Sequence, residues 1–464
     1  MVAGDATLAA SPTALAVINP ANEAVIGHAP VATEAGLDAA VSAARAAFPA
    51  WRATAVAERR QVLCALADGI DADRGHLAPL LTREQGKPLR SAHDEIVRAT
   101  QWLRDIAKFD LPQHVNEDTP QRLSITTYVP IGVVGAIVPW NYPVLLAAWK
   151  IAPALLCGNT IIVKPSPYTP LTMLRIGELA RKIIPDGVLS VITGDDRLGP
   201  WMSAHPGIDK ISFTGSTETG RRVMASAAPT LKRLTLELGG NDAAIVLPDA
   251  DLEAIIPALF AAAFGNSGQI CLATKRLYVH ADLFNGVVAG FEALIHAARV
   301  GDGAHADTAF GPVQNRAQYE RVCAIITDSR ANGHDVRSGS VAASANGYFI
   351  PLTIVVDPPE TSRVVVEEAF GPVLLILRYH DINDAISRAN ASPYALGASI
   401  WSSDVQSAQA LAPRLEAGTV WINEARYVSP ITTLSGHKQS GLNVEHGIDG
   451  LIGYCNPQTI TTRR

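Results

Sequence analysis

The stretch VVGAIVPWNYPVLLAAWKIAPALLCGNTIIVKPSP, residues 133–167, decides the fold. It opens on a short run rich in β-branched residues, Val133–Val138, and breaks at two prolines. An apolar run too long for one strand follows at Val144–Leu156, and a second β-branched run comes at Thr160–Val163. That order reads as strand, helix, strand. The alternation continues with a helix at Leu171–Ile184, strands at Val188–Ile192 and Lys210–Phe213, a helix at Thr217–Ala227 and a strand at Arg233–Leu236. Strands and helices alternating at this spacing form a parallel, doubly wound sheet, with ligand chemistry beyond the carboxyl ends of the strands.

A second alternating region runs from a strand at Ala243–Leu247 through a helix at Asp251–Phe264 to a strand at Arg276–His280. Helices near Asp282–Arg299 and Ala317–Asn332, a polar Gly/Ser-rich stretch at Gly339–Asn346 and strands around Ile350–Val355 and Val373–Leu377 come next. A helix at Ile382–Asn390 and a strand at Gly397–Trp401 complete it. Upstream, a loop signal at Asn19–Asn22 precedes helical spacing over residues 34–80, and the Gly86-Lys87-Pro88 break separates that region from renewed helical spacing. Residues 122–138 hold two strand candidates parted by Pro130 and Gly132. The tail NPQTITTRR reads as an edge strand with no local partner, which must pair with residues 122–130 or with another subunit.

Composition bounds the function. With 464 residues and 48% hydrophobic content the chain can fill two or three cores. A net charge of −6 provides neither a basic field for nucleic acid nor a polybasic patch for a membrane surface. Five cysteines, with no CxxC pair and no clustered histidines, argue against a disulfide framework and against a metal site, and fit a reducing, cytoplasmic setting. The amino terminus lacks the basic head and long apolar core of a signal peptide. No run reaches the ~20 uninterrupted apolar residues of a membrane span, because Lys150 and Pro153 interrupt Val144–Cys157.

Five places carry candidate chemistry. Cys271 lies in FGNSGQICLA, residues 264–273, among small residues that leave a thiol approachable; a helical continuation would lower its pKa, although a lone cysteine also reads as a small core hydrophobe. Asn141, in PWNYP, stands where backbone donors converge at a helix start and reads equally as an oxyanion donor or an N-cap. Lys164 ends an apolar strand with a charge, which taken alone reads as the first solvated residue after the strand. FTGSTETG, residues 213–220, places a glycine, hydroxyls and a helix start after a strand, a weak pyrophosphate signal. Glu237 ends the last strand of the first half beside Gly239 and Gly240, as a turn residue or a general base. Nucleophile, amide donor, carboxylate and nucleotide loop together imply attack of a thiolate on an aldehyde, loss of hydride to a nicotinamide, and hydrolysis of the thioester.

In these motifs, and in KPS at 164–166, ELGG at 237–240, GQIC at 268–271, EEAFGPV at 367–373 and HKQSG at 437–441, the sequence resembles the aldehyde dehydrogenase superfamily from about Asn19 to the C-terminus. The resemblance implies an α/β fold made of a Rossmann-like cofactor domain (1–111 and 131–238), an α/β catalytic domain (239–439) and a small β oligomerisation arm (112–130 and 455–464). It implies Cys271 as nucleophile, Glu237 as the base that activates water, and Asn141 with the Cys271 backbone N–H as oxyanion donors. It places Val138, Trp140, Lys164, Ser166, Pro167, Gly194, Phe213, Thr214, Gly215, Ser216, Leu238 and Gly239 around the cofactor, with Glu368 and Phe370 at the nicotinamide ribose and ring. Tyr142, Leu146, Trp149, Ile270, Leu272, Arg426, Val428 and Leu434 would line the substrate tunnel, and no metal is implied.

Three positions depart from the family pattern. Pro167 stands where many NAD-preferring members carry a ribose-binding glutamate, which leaves the cofactor as NAD or NADP, with NAD favoured. Asn241 replaces a lysine after the glycine pair, with packing consequences only. Leu434 replaces an aromatic wall and suggests a roomier, more aliphatic tunnel. The mostly apolar lining favours an uncharged aliphatic or aromatic aldehyde, against which Arg426 argues for a carboxylate-bearing one. The expected product is a carboxylic acid, and the expected assembly is a homodimer or homotetramer. A coenzyme A-acylating semialdehyde dehydrogenase would lack Glu237, and a catalytically silent binding protein would lack one of Cys271, Glu237 or Asn141.

Overall fold

The computed structural model of the chain describes residues 10–341 and 346–464; the first residues of the amino terminus and the centre of the Gly/Ser-rich stretch lie outside the described residues. The α/β reading holds. Five parallel strands in the order Arg233–Glu237, Lys210–Thr214, Val133–Ile137, Thr160–Lys164 and Leu189–Val191 form one sheet, and Gly441–Leu442 adds a short antiparallel strand beside Arg233–Glu237. Strand order reverses between Val133–Ile137 and Lys210–Thr214, the switch point where an open α/β sheet leaves a crevice.

A seven-stranded sheet forms from the second alternating region, in the order Asp335–Ser338, Thr353–Val356, Val373–Tyr379, Thr274–His280, Asp242–Val246, Gly397–Trp401 and Thr419–Ile422. All its pairings are parallel except that of the edge strand Asp335–Ser338. Its interior strand Asp242–Val246 is buried along its whole length, which is why it reads as a continuous apolar run instead of an alternation.

Several elements were not visible in the pattern. Ala10–Ile18 and Val25–Ala32 pair as an antiparallel hairpin around the Asn19–Asn22 loop. His114–Asp118 joins Arg122–Pro130, while Leu198–Ala204 and Val405–Leu411 are short helices. The helix at Leu171 ends at Ala180, short of Ile184. Among the described residues no helix is long and apolar enough to cross a membrane.

The tail finds its partner within the chain. Cys455–Arg463 pairs antiparallel with Arg122–Pro130, in register from Cys455 opposite Pro130 to Arg463 opposite Arg122, and remains an edge of that three-stranded sheet. Truncation after Tyr454 is expected to bare the Arg122–Pro130 edge, so that size-exclusion chromatography with light scattering reports aggregates in place of a single defined species; an unchanged elution profile would contradict this.

Candidate active site

The cysteine loop begins where the helix Leu252–Phe264 ends. Asn266 and Ser267 turn the chain with φ of 50° and 55°, and Gly268 follows at 71°. A Cβ on Gly268 would lie 2.0 Å from the Gly371 carbonyl oxygen, so only glycine fits there. The loop is tied down by Ser267 Oγ donating to the Gly311 carbonyl at 2.7 Å, by Gln269 Nε2 donating to the Asn266 carbonyl at 3.0 Å, and by the Gln314 N–H donating to Gln269 Oε1 at 2.9 Å.

The expected helix after Cys271 is absent. Cys271 and Leu272 form a turn that feeds the strand Thr274–His280, so no helix N-terminus faces the sulfur. The expectation of a lowered pKa is corrected with it. Burial first, then the charges of Asp242, Glu368 and Glu237, push the thiol up to about 12, opposed by a hydrogen bond from the Leu272 backbone N–H.

Asn141 precedes the fully buried helix Pro143–Leu156. The first turn of that helix is capped from outside: Glu95, on the helix Leu89–Ile106, accepts the N–H groups of Val144 and Leu145 at 2.9 and 3.2 Å. Glu95 is also ion-paired with buried Lys87, whose Nζ donates to the Asn141 carbonyl at 2.9 Å. Asn266 Nδ2 donates to the same carbonyl at 3.1 Å, which links this loop to the cysteine loop. The Asn141 side-chain amide donates one N–H to the Gln269 carbonyl at 2.9 Å and keeps a second for a ligand.

Glu237 ends its strand buried, with Oε1 lacking any hydrogen-bond partner, and burial raises its pKa well above the carboxylate range. Three residues on, Gly240 passes so close to the cysteine loop that a Cβ would lie 2.5 Å from the Cys271 carbonyl oxygen. Two groups overlooked in the sequence complete this corner. Lys150, wholly buried in the helix Pro143–Leu156, donates to Glu445 Oε1 at 2.6 Å, and Ser212 Oγ donates to the same oxygen at 3.3 Å. The Glu445 charge adds to the upward shift of Glu237, and Lys150 opposes it. A lysine in the middle of an apolar helix run was the available signal for this pair.

The expected cofactor residues gather at the carboxyl ends of the first sheet. Val138 donates its N–H to the Lys164 carbonyl at 3.0 Å, Gly215 to the Glu237 carbonyl at 3.0 Å, and Leu238 to the Ser440 carbonyl at 2.9 Å. Gly194 follows the strand Leu189–Val191, and Ser166 and Pro167 follow Thr160–Lys164. Burial lowers the pKa of Lys164 to about 8, with Asp196 and Asp195 opposing the shift. Thr214 Oγ1 is buried without a partner, and Ser216 Oγ caps the helix Thr217–Ala227 through the Thr219 N–H at 3.2 Å. Across the crevice the Glu368 carboxylate accepts the Gly240 N–H at 3.3 Å, close beside Gly239, and burial raises its pKa to about 7. The Phe370 ring meets the Trp140 ring edge-on, with centroids 5.5 Å apart. Phe213 is buried behind Gly215. Asn241 bonds the Val365 carbonyl at 2.8 Å, in keeping with a packing role.

A cavity of about 360 Å³ opens at Cys271 and Asn141 and is lined by Tyr142, Leu146, Trp149, Ile270, Leu272, Arg426 and Val428 among others. Leu434 is the exception to the expected tunnel. It is buried in the core behind this wall, in a two-residue strand with Leu434 opposite Glu445, and so does not widen the cavity. Arg98, from the helix Leu89–Ile106, lines the cavity and was not anticipated.

A family model described as the aldehyde dehydrogenase family matches residues 7–460. The putative aldehyde dehydrogenase FUS7 of Gibberella fujikuroi is 42% identical over 444 residues, covering 95% of this chain and 94% of the relative. The NAD+ complex structure of aldehyde dehydrogenase from Bacillus cereus superposes with a TM-score of 0.95 at 35% identity, covering 97% of this chain and 93% of that one. An NADP-dependent enzyme from E. coli superposes with a TM-score of 0.97 at 33% identity, covering 100% and 98%.

The raised thiol pKa has a direct readout. In the unliganded protein, alkylation of Cys271 by iodoacetamide, followed by mass spectrometry, is expected at pH 7.5 to run on the order of 10³-fold slower than for free cysteine and to keep rising with pH past 9. A plateau near pH 9 would contradict the electrostatics described.

Proposed function

The chain belongs to the aldehyde dehydrogenase family, enzymes that oxidise an aldehyde to a carboxylic acid with NAD(P)+, and we propose that here Cys271, Glu237 and Asn141 carry the reaction. The observation behind this reading is convergence. Cys271 and Asn141 line one cavity although they belong to separate elements, and the strand end bearing Glu237 abuts the cysteine loop. The Cys271 thiolate adds to the aldehyde carbon. The oxyanion so formed takes the second N–H of the Asn141 amide and the Cys271 backbone N–H, which has no acceptor among the described residues. Loss of hydride leaves a thioester on Sγ. Glu237, in its ionised form, accepts a proton from the water that attacks the thioester, and the acid departs as the thiolate reforms. Lys150 and Glu445 form a buried charged pair beside Glu237 through which that proton can leave.

Cofactor binding has its own support. Thr214 Oγ1 without a partner, the glycine-flanked helix start after it and the Glu368 carboxylate opposite suit a dinucleotide laid across the strand ends. Trp140, Lys164, Ser166, Gly215 and Ser216 would hold its adenosine and pyrophosphate, and Glu368 and Phe370 its nicotinamide ribose and ring. When bound, the oxidised nicotinamide supplies a hydride acceptor and a positive charge. Pro167 offers no carboxylate to the adenosine ribose, so both cofactors are accepted, with NAD+ favoured. The segments 1–111 with 131–238 would form the cofactor domain and 239–439 the catalytic domain. The sheet arm of 112–130 and 455–464 would assemble the chain as a homodimer or homotetramer in the cytoplasm.

Replacement of Cys271 by alanine is expected to abolish aldehyde-dependent NAD(P)H formation while nucleotide binding survives. Glu237→Gln is expected to release a burst of about one NAD(P)H per site in stopped-flow absorbance and then turn over at least ~100-fold more slowly. For the wild-type enzyme the base form of Glu237 is needed, and its pKa is raised, so steady-state turnover climbs with pH above the ordinary carboxylate range. Unchanged turnover in Cys271→Ala would remove the mechanism.

A further inference from the structure

The cavity at Cys271 contains two cationic side chains that no carboxylate answers. Arg426 has a φ of 62°, which is uncommon for a non-glycine residue, and its guanidinium packs against Gly265, where a Cβ would lie 2.3 Å from Nη1. Its Nε is buried without a hydrogen-bond partner, and among the described residues it forms no ion pair. Burial makes the guanidinium cost energy, as the lowering of its pKa records. Arg98 lines the same cavity nearer solvent and likewise has no ion pair or hydrogen bond among the described residues. The acidic groups on this wall do not compensate. Glu95 is committed to Lys87 and to the N–H groups of Val144 and Leu145, and Asp94, exposed at the rim, pairs with neither arginine. The Tyr142 hydroxyl, held protonated by burial that raises its pKa to about 12, donates to nothing among the described residues and feels the charges of both arginines.

A half-buried guanidinium whose Nε is sealed from water without a counter-ion is costly, and the cost is recovered when an anion supplies the missing acceptors. We propose that Arg426, with the Tyr142 hydroxyl beside it and Arg98 at the entrance, binds an anionic group at the far end of the substrate, so that the preferred substrates are short ω-carboxy aldehydes. This rests on the assignment of Cys271 as the nucleophile. The cavity of about 360 Å³ suits a short chain, whose methylenes would lie along Leu146, Trp149 and Val428. It replaces the uncharged aldehyde favoured by the apolar residues of the tunnel taken alone.

Steady-state kcat/KM for 5-oxopentanoate and for pentanal, measured with one cofactor on the full-length enzyme, tests the proposal. Wild type is expected to favour the carboxylate by ~30-fold or more, the scale of a charge-assisted bidentate contact. Arg426→Gln is expected to bring that ratio down towards one, chiefly through KM, with Arg426→Lys retaining part of it. Arg98→Gln should weaken the salt dependence of kcat/KM for 5-oxopentanoate. Equal wild-type values, or a parallel loss on both substrates in Arg426→Gln, would overturn the proposal. If Arg426→Gln does not fold, the wild-type ratio and the Arg98→Gln salt dependence decide it. Turnover of pentanal in preference to 5-oxopentanoate sinks the anion site and leaves the aldehyde chemistry standing; no Cys271-dependent turnover of any aldehyde would instead remove the nucleophile assignment.

Discussion

One carboxylate holds the catalytic geometry together. Glu95, fully buried, caps the helix that follows Asn141 and pairs with Lys87, which in turn fixes the Asn141 carbonyl, and Asn266 of the cysteine loop bonds that same carbonyl. Removing one partner of such a pair leaves a buried charge unanswered and costs about 3–5 kcal/mol. The penalty would fall on the orientation of the Asn141 amide as much as on the fold, because the same ions serve both.

The corner around Glu237 depends on a balance of charge. Burial alone would neutralise every acid there, yet Lys150 keeps Glu445 below its ordinary range while Glu237 is pushed above its own. Two carboxyl groups near one ammonium are thereby split into an ionised structural one and a protonatable one. The thiol is held in its neutral form by the same low-polarity surroundings together with nearby carboxylates. The surroundings of both groups thus oppose ionisation of the thiol and of Glu237.

Much of this was legible in the sequence because strands between helices leave a strong pattern and strand-end residues are easily located. Asn141, Lys164, Thr214 and Glu237 were identified for that reason. Elements of few residues leave no periodicity, which is why the strands around Leu434, Gly441 and Val444 went unread. Glu445 was lost with them, and Leu434 was assigned to a wall it only supports. The turn after Cys271 was misread as helical because Ile270-Cys271-Leu272-Ala273 is apolar enough for either, and the left-handed residues before it, Asn266 and Ser267, decide the direction of the chain. Lys87, buried in the break between two helices, and Arg98, on the outer side of the cavity, left no periodic signal that would single them out.

The Lys150–Glu445 bond joins residues 295 positions apart, and Gly441–Leu442 borders the strand that carries Glu237. Synthesis from the amino terminus therefore delivers Cys271, Asn141 and Glu237 long before Glu445, whose charge bears on Glu237. A ribosome-bound chain that has displayed Cys271 still lacks Glu445 and cannot close the sheet beside Glu237. The buried charge pair beside Glu237 is thus completed late in synthesis, after every strand of the sheet that carries Glu237, its short antiparallel edge included.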